Sequence, residues 1–173
     1  SGGCQYTCKM CPQTTGRGSD WTRKMHLSQF EDILDQITPK YGTPQINLEG
    51  SGEATLAKDL DKYVAAVKKR GLVCYMYTNA ERLHGDFMKR VIDAGIDFIR
   101  CSVIGYNPSK YKYWMDTDKF MRVRTNVIEM QDYIHKIGSS CEVSSYHLIT
   151  DNNRVDYEVD QYIQNFISFA HTK

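Results

Sequence analysis

The stretch QINLEGSGEATLAKDLDKYVAAVKKRGLVCYMYTN, residues 45–79, carries a complete strand–helix–strand unit. Ile46 and Leu48 alternate with polar neighbours over Gln45–Glu49, as a short strand does. Leu60, Tyr63, Val64 and Val67 then recur at helical spacing, and Gly71 stands at the left-handed position that closes a helix. Leu72–Tyr77 is an apolar run of strand length. Two strands joined by a helix run parallel through a right-handed crossover. Upstream, Ser28 and Glu31 form an S-x-x-E capping box for a helix on Phe30, Ile33, Leu34 and Ile37, which should stop before Pro39, with a turn at Gly42–Pro44. Downstream, Phe87, Met88, Val91 and Ile92 mark a helix ended by Gly95, and Ile96–Ile104 reads as a strand. A long helix from Lys119 to Ile137 presents Phe120, Val123, Val127, Met130, Ile134 and Ile137, and Gly138 closes it. Cys141–Ile149 is another strand, and Val159, Ile163, Phe166 and Ile167 give a last helix. Such alternation specifies an α/β fold with parallel strands.

The 173 residues suffice for one domain, 1–173, with a substantial core. A formal net charge of +1 gives no electrostatic case for nucleic acid or for an anionic membrane. No apolar run approaches the ~20 residues of a membrane span. Six cysteines without a secretory segment point to a reducing cytoplasm.

Three of those cysteines fall in Cys4-Gln5-Tyr6-Thr7-Cys8-Lys9-Met10-Cys11, spaced C-x-x-x-C-x-x-C. One short loop can then aim three thiolates at a single inorganic centre. The next cysteine is Cys74, far along the chain. Iron–sulfur clusters normally take four cysteines and closed zinc sites four ligands. Three in a tight loop therefore imply a cubane with one iron open to another ligand. Two other readings stand beside it: a Cys3His zinc knuckle completed by His26, and a disulfide pair with a spare thiol. Cys74, Cys101 and Cys141 each lie in an apolar strand-like run, where a cysteine serves as a small buried hydrophobe.

The cysteine loop resembles that of the radical S-adenosylmethionine (SAM) enzymes, and segments similar to that family's follow at successive strand ends. Parallel sheets and barrels place their chemistry at the carboxyl ends of strands. Glu49-Gly50-Ser51-Gly52-Glu53-Ala54-Thr55-Leu56 resembles the family's GGEP segment, with Ser51 for the first glycine and Ala54 for the proline. Tyr77-Thr78-Asn79-Ala80 resembles T-N-G, and Arg100–Gly105 resembles S-x-D-G, with Ile104 in place of the aspartate. The resemblance implies a [4Fe–4S] cluster on Cys4, Cys8 and Cys11, its open iron chelated by SAM. It implies SAM contacts from the backbone near Met10, from Gly50, Ser51, Gly52 and Glu53, from Thr78 and Asn79, and from Ser102, with Glu53 meeting the amino group. A reductant such as flavodoxin or ferredoxin is implied as partner. The implied reaction is reductive cleavage of SAM to a 5′-deoxyadenosyl radical, which abstracts hydrogen from a peptide, sugar or small metabolite.

The family's barrel has six strands and six helices, so the resemblance implies a partial (β/α)6 TIM-like barrel lacking its first and last strands in these residues. C-x-M-C-P followed by Arg17, Arg23, Lys24 and Met25 resembles members that carry a SPASM or Twitch extension. Where such members place an arginine for the SAM carboxylate, this chain has Lys110 and Lys112 around Tyr113-Trp114. The aromatic stretch Tyr106–Trp114 reads either as a substrate lid or as a short helix on the barrel rim. His147 reads as structural or as a proton-transfer group. Beside the enzyme stand two alternatives: a non-catalytic iron–sulfur or zinc module, and a degenerate fragment that assembles no cluster.

Overall fold

In a computed structural model, which describes residues 2–12, 14, 24–41 and 44–167, four strands form one sheet in chain order, each neighbouring pair parallel. They are β1 (Gln45–Asn47), β2 (Val73–Thr78), β3 (Phe98–Ser102) and β4 (Glu142–Tyr146). The register pairs Ile46 with Cys74, Met76 with Ile99 and Ile99 with Val143. Six α-helices join or flank them: α1 (Leu27–Tyr41), α2 (Leu60–Lys68), α3 (Gly85–Asp93), α4 (Pro108–Met115), α5 (Phe120–Ile137) and α6 (Val155–Tyr162). The result is part of a TIM-like barrel.

Strand alternation decides what is core. Cys74, Met76, Ile99 and Cys101 are wholly buried, and Val64, Val67, Val91, Val123 and Met130 of the helices join them in one apolar cluster. The intervening strand residues Tyr75, Tyr77, Arg100, Ser102 and Tyr146 are half-buried or exposed on the opposite face. That face is polar and aromatic, as the lumen of an open barrel would be. At the amino ends of the strands Lys68 Nζ spans both oxygens of Asp97 at 2.6 and 2.8 Å, and Asp97 Oδ2 accepts the Cys74 N–H at 2.7 Å. This half-buried pair pins α2 to β2 and β3 at the pole opposite the site.

Four local expectations need correction. The first helix starts at Leu27, so Ser28 lies inside its first turn. Gln29 Oε1 instead accepts the His26 N–H at 3.2 Å, which is the reciprocal half of a capping box shifted by two residues. The helix also continues through position 39 to Tyr41. In the last helix Val159 and Ile163 are 40% and 45% exposed. The buried stripe is Glu158, Tyr162 and Phe166, because Tyr162 stacks between His147 and Phe166 with ring centroids 5.2 and 5.5 Å away. Strand ends are also shorter than the apolar runs suggested, since each strand pairs only as far as its neighbour reaches.

Candidate functional site

Glu53 organises the carboxyl ends of the strands. It caps the short 3-10 turn Ala54–Leu56 and is only 4% exposed. Its Oε1 accepts from the Thr55 N–H at 3.0 Å, the Thr55 hydroxyl at 2.7 Å and the Thr78 hydroxyl at 2.6 Å. Its Oε2 accepts the Asn79 N–H at 2.8 Å, and its own N–H donates to the Gly3 carbonyl at 2.8 Å. The Glu53 carboxylate thus ties the segment after β1 to the end of β2, and its backbone N–H ties both to the lead into the cysteine loop. No cation pairs with it among the described residues. An anion buried without counter-charge relies wholly on its hydrogen bonds, and Oε2 has capacity for one more donor.

The cysteine loop is held at both flanks. On one side Gln5 Nε2 donates to Asn79 Oδ1 at 3.2 Å and to Glu81 Oε2 at 3.0 Å. On the other, the Lys9 N–H donates to the Trp114 carbonyl at 2.9 Å, the Thr7 hydroxyl donates to Asp116 Oδ2 at 2.6 Å, and Lys9 Nζ lies 3.4 Å above the Tyr113 ring. The aromatic stretch is therefore a helix, α4, capped by Asn107 and anchored by the fully buried Tyr111, and its last turn clamps the loop. Gln5, Thr7 and Asp116 were not singled out in the sequence, because each acts across more than seventy residues of chain separation.

Cys4 is exposed, Cys8 and Cys11 are half-buried, and none is in a disulfide. The Tyr6 N–H lies 3.4 Å and Asn79 Nδ2 3.9 Å from Cys4 Sγ, N–H donors of the kind that tune cluster thiolates. Burial pushes the Cys8 thiol up to about 12, with Cys4 and Cys11 adding to the rise, and burial also raises Cys4. Among the described residues no three His, Cys, Asp or Glu side chains converge on a point where one ion would sit. A cubane gives each thiolate its own iron, so three sulfurs spread along one loop fit that group.

Gly50 is exposed, Ser51, Gly52 and Met10 are half-buried, and Asn79 is buried. The Thr78 hydroxyl is engaged inside the chain, donating to Glu53 and accepting the Ala80 N–H at 3.0 Å. The Ser102 hydroxyl donates to the Tyr146 hydroxyl at 2.8 Å on the open face of the sheet. His147 is engaged within the chain: Nδ1 accepts the Gly105 N–H at 3.0 Å, and Nε2 faces Glu158 Oε2 at 3.3 Å. Lys110 and Lys112 are exposed on α4, and Arg17 and Arg23 lie outside the described residues.

Comparison with known proteins bears on the family and the fold. The sequence model of the radical SAM superfamily matches residues 1–158. An uncharacterized protein of Methanocaldococcus jannaschii is 29% identical over 147 residues, covering 83% of this chain and 46% of that protein. A probable GTP 3′,8-cyclase of Metallosphaera sedula is 24% identical over 75% of this chain and 40% of its own length. An Fe-coproporphyrin III synthase of Methanosarcina barkeri is 21% identical over 64% of this chain and 27% of its own. The chain thus spans less than half the length of these curated relatives. Among solved structures, BtrN in an open conformation superposes with a TM-score of 0.55 at 17% identity, over 84% of this chain and 51% of that one, a likeness of fold. With the family match spanning nearly the whole length, the chain belongs to the radical SAM superfamily.

Proposed function

We propose that this protein is the core of a radical SAM enzyme, in which Cys4, Cys8 and Cys11 hold a [4Fe–4S] cluster and the adjoining strand ends hold SAM. The observation that carries the reading is the Glu53 hub, which joins the cysteine loop, the Gly50–Glu53 segment and Thr78–Asn79 into one site. When bound, the cluster and SAM supply one-electron cleavage of the C5′–S bond, releasing methionine and a 5′-deoxyadenosyl radical that takes a hydrogen atom from substrate. The residues of the chain bind and orient. Glycines at 50 and 52 let backbone carbonyls approach an ammonium closely, and the unused capacity of Glu53 Oε2 suits the same group. Asn79 holds the Cys4 sulfur, and Ser102 offers a hydroxyl on the open face. Thr78 acts as a positioning residue through Glu53. The substrate is a peptide, a sugar or a small metabolite, bound against the open face of the sheet.

The test is anaerobic reconstitution. The protein should bind about four irons, give a cubane EPR signal on reduction, and change that signal when SAM is added. Cys8→Ala should abolish the iron, because three bonds are all that anchor it. Dithionite with SAM should release 5′-deoxyadenosine. Zinc in place of iron, or a cluster whose spectrum ignores SAM, would replace this reading with a non-catalytic module.

A further inference from the structure

On the outer flank of the cysteine loop a cavity of about 640 Å³ gathers Lys58, Arg82, Arg90 and Arg122 into its wall. The four come from separate elements: the lead into α2, the β2–α3 connection, α3 itself and the first turn of α5. They crowd one opening in a chain whose formal net charge is only +1. Opposing carboxylates are few. Glu81 lines the cavity but accepts from Gln5 at 3.0 Å, Asp61 is 3.9 Å from Arg90 Nε, and Asp86 is paired with Lys89 at 3.6 Å. Among the described residues no carboxylate pairs with Lys58, Arg82 or Arg122. Arg122 Nη2 instead lies 3.0 Å from Nε2 of His84, which also lines the cavity. A guanidinium only donates, so Nε2 accepts and the imidazole proton sits on Nδ1 as a further donor.

Three guanidinium groups, an ammonium and an imidazole N–H thus surround one opening, and all of them donate. A lone carboxylate is satisfied by a single guanidinium fork, whereas a phosphoryl group carries about two charges and three acceptor oxygens and takes several donors. Shape narrows the ligand further. The volume falls within the roughly 300–1,000 Å³ of small-molecule clefts. A polymeric anion is instead met by cations set in a stripe. Phe87, half-buried, supplies an apolar wall, with the Arg90 guanidinium 5.6 Å from its ring.

We propose that this cavity binds a phosphorylated small molecule, its phosphate or diphosphate held by Lys58, Arg82, Arg90 and Arg122 and its body against Phe87. The cavity adjoins the Glu53 hub through Thr55, yet binding there needs neither the cluster nor SAM. It is linked to the cysteine loop through Gln5, which lines the cavity, donates to Asn79 and Glu81, and has its Oε1 3.9 Å from the Sγ of the exposed Cys4. The four cations are exposed, so binding is shallow and sensitive to salt.

The experiment is calorimetric titration of the full chain with inorganic pyrophosphate at about 0.15 M salt, which screens scattered surface charge. Wild type should show one saturable site. Lys58→Gln/Arg82→Gln removes two exposed donors and should weaken binding by about tenfold or more. Its thermal melt, iron content and release of 5′-deoxyadenosine should match wild type, which separates this site from the reading proposed above. Arg122→Gln, on a different element, should weaken binding in the same direction. Lys69→Gln/Lys136→Gln takes the same charge from exposed positions off the cavity and should leave the affinity unchanged. Equal weakening in the two double variants would overturn the proposal, because net charge alone would then account for binding. Citrate binding more tightly than pyrophosphate would overturn it in favour of a carboxylate ligand. Absence of saturable binding in wild type would overturn it outright, with the cluster and its response to SAM unaffected.

Discussion

Gly105 shows how one residue without a side chain sets the rim of the site. Its φ is +119°, and a Cβ there would meet the Tyr111 nitrogen at 2.2 Å and the Lys110 carbonyl carbon at 2.5 Å. Backbone passes backbone at that point, so β3 can hand the chain directly to α4, whose last turn clamps the cysteine loop. Gly105→Ala should therefore cost about 3 kcal/mol or more, combining a disfavoured φ with a clash that no rotamer relieves. Chemical denaturation would measure it, and a loss below about 1 kcal/mol would mean that α4 can move aside. Glu53 teaches the complementary point. Its place in the Gly50–Glu53 segment marked it as a contact for SAM, yet most of its hydrogen-bonding capacity is spent inside the chain. Only the fold brings Thr78 and Asn79 to it, so that division of labour was not legible in the segment.

Among the elements, α6 is attached by a buried polar joint together with the stacked ring of Tyr162. Glu158, 3% exposed, accepts from the Thr150 hydroxyl at 2.5 Å and the Thr150 N–H at 2.7 Å, and faces His147 Nε2 at 3.3 Å. Burial alone raises the Glu158 pKa, but the hydrogen bonds from Thr150 and His147 outweigh it and hold the group below its ordinary 4.5. A carboxyl depressed in the folded state stabilises above its unfolded pKa and loses that stabilisation as pH falls through the folded one. The protein should accordingly lose stability as pH drops below about 4.5, and Glu158→Gln should flatten that part of the profile. Thermal melts across pH 3 to 7, a window set by carboxyl titration, would check it. An unchanged acid limb in the variant would assign the loss to other carboxylates. The helix was legible in sequence, but its buried face was not. Val159 and Ile163 carry the helical period, yet Glu158, Tyr162 and Phe166 do the packing, because His147 and Phe120 offer ring partners on that side.

Across the whole molecule the six cysteines divide into two sets. Cys74, Cys101 and Cys141 are 0%, 0% and 6% exposed, and burial pushes the thiols of Cys74 and Cys141 up to about 12. In the folded apoprotein a thiol reagent should reach Cys4, Cys8 and Cys11 and spare the other three until global unfolding, as mass spectrometry of labelled peptides would record. Labelling of Cys101 under native conditions would mean that the sheet opens locally. That division was readable beforehand, since apolar strand context and C-x-x-x-C-x-x-C spacing are local properties of the chain. By itself the sequence determined the α/β alternation, the positions of four parallel strands and the placing of family-like segments at their ends, because period and turn chemistry act over a few residues. Only the tertiary structure decided that α4 clamps the cysteine loop, that Glu53 binds three segments together, and that four dispersed cations share one opening beside Cys4. Each of those joins residues tens of positions apart, and which of them meet is fixed by how the helices pack on the sheet.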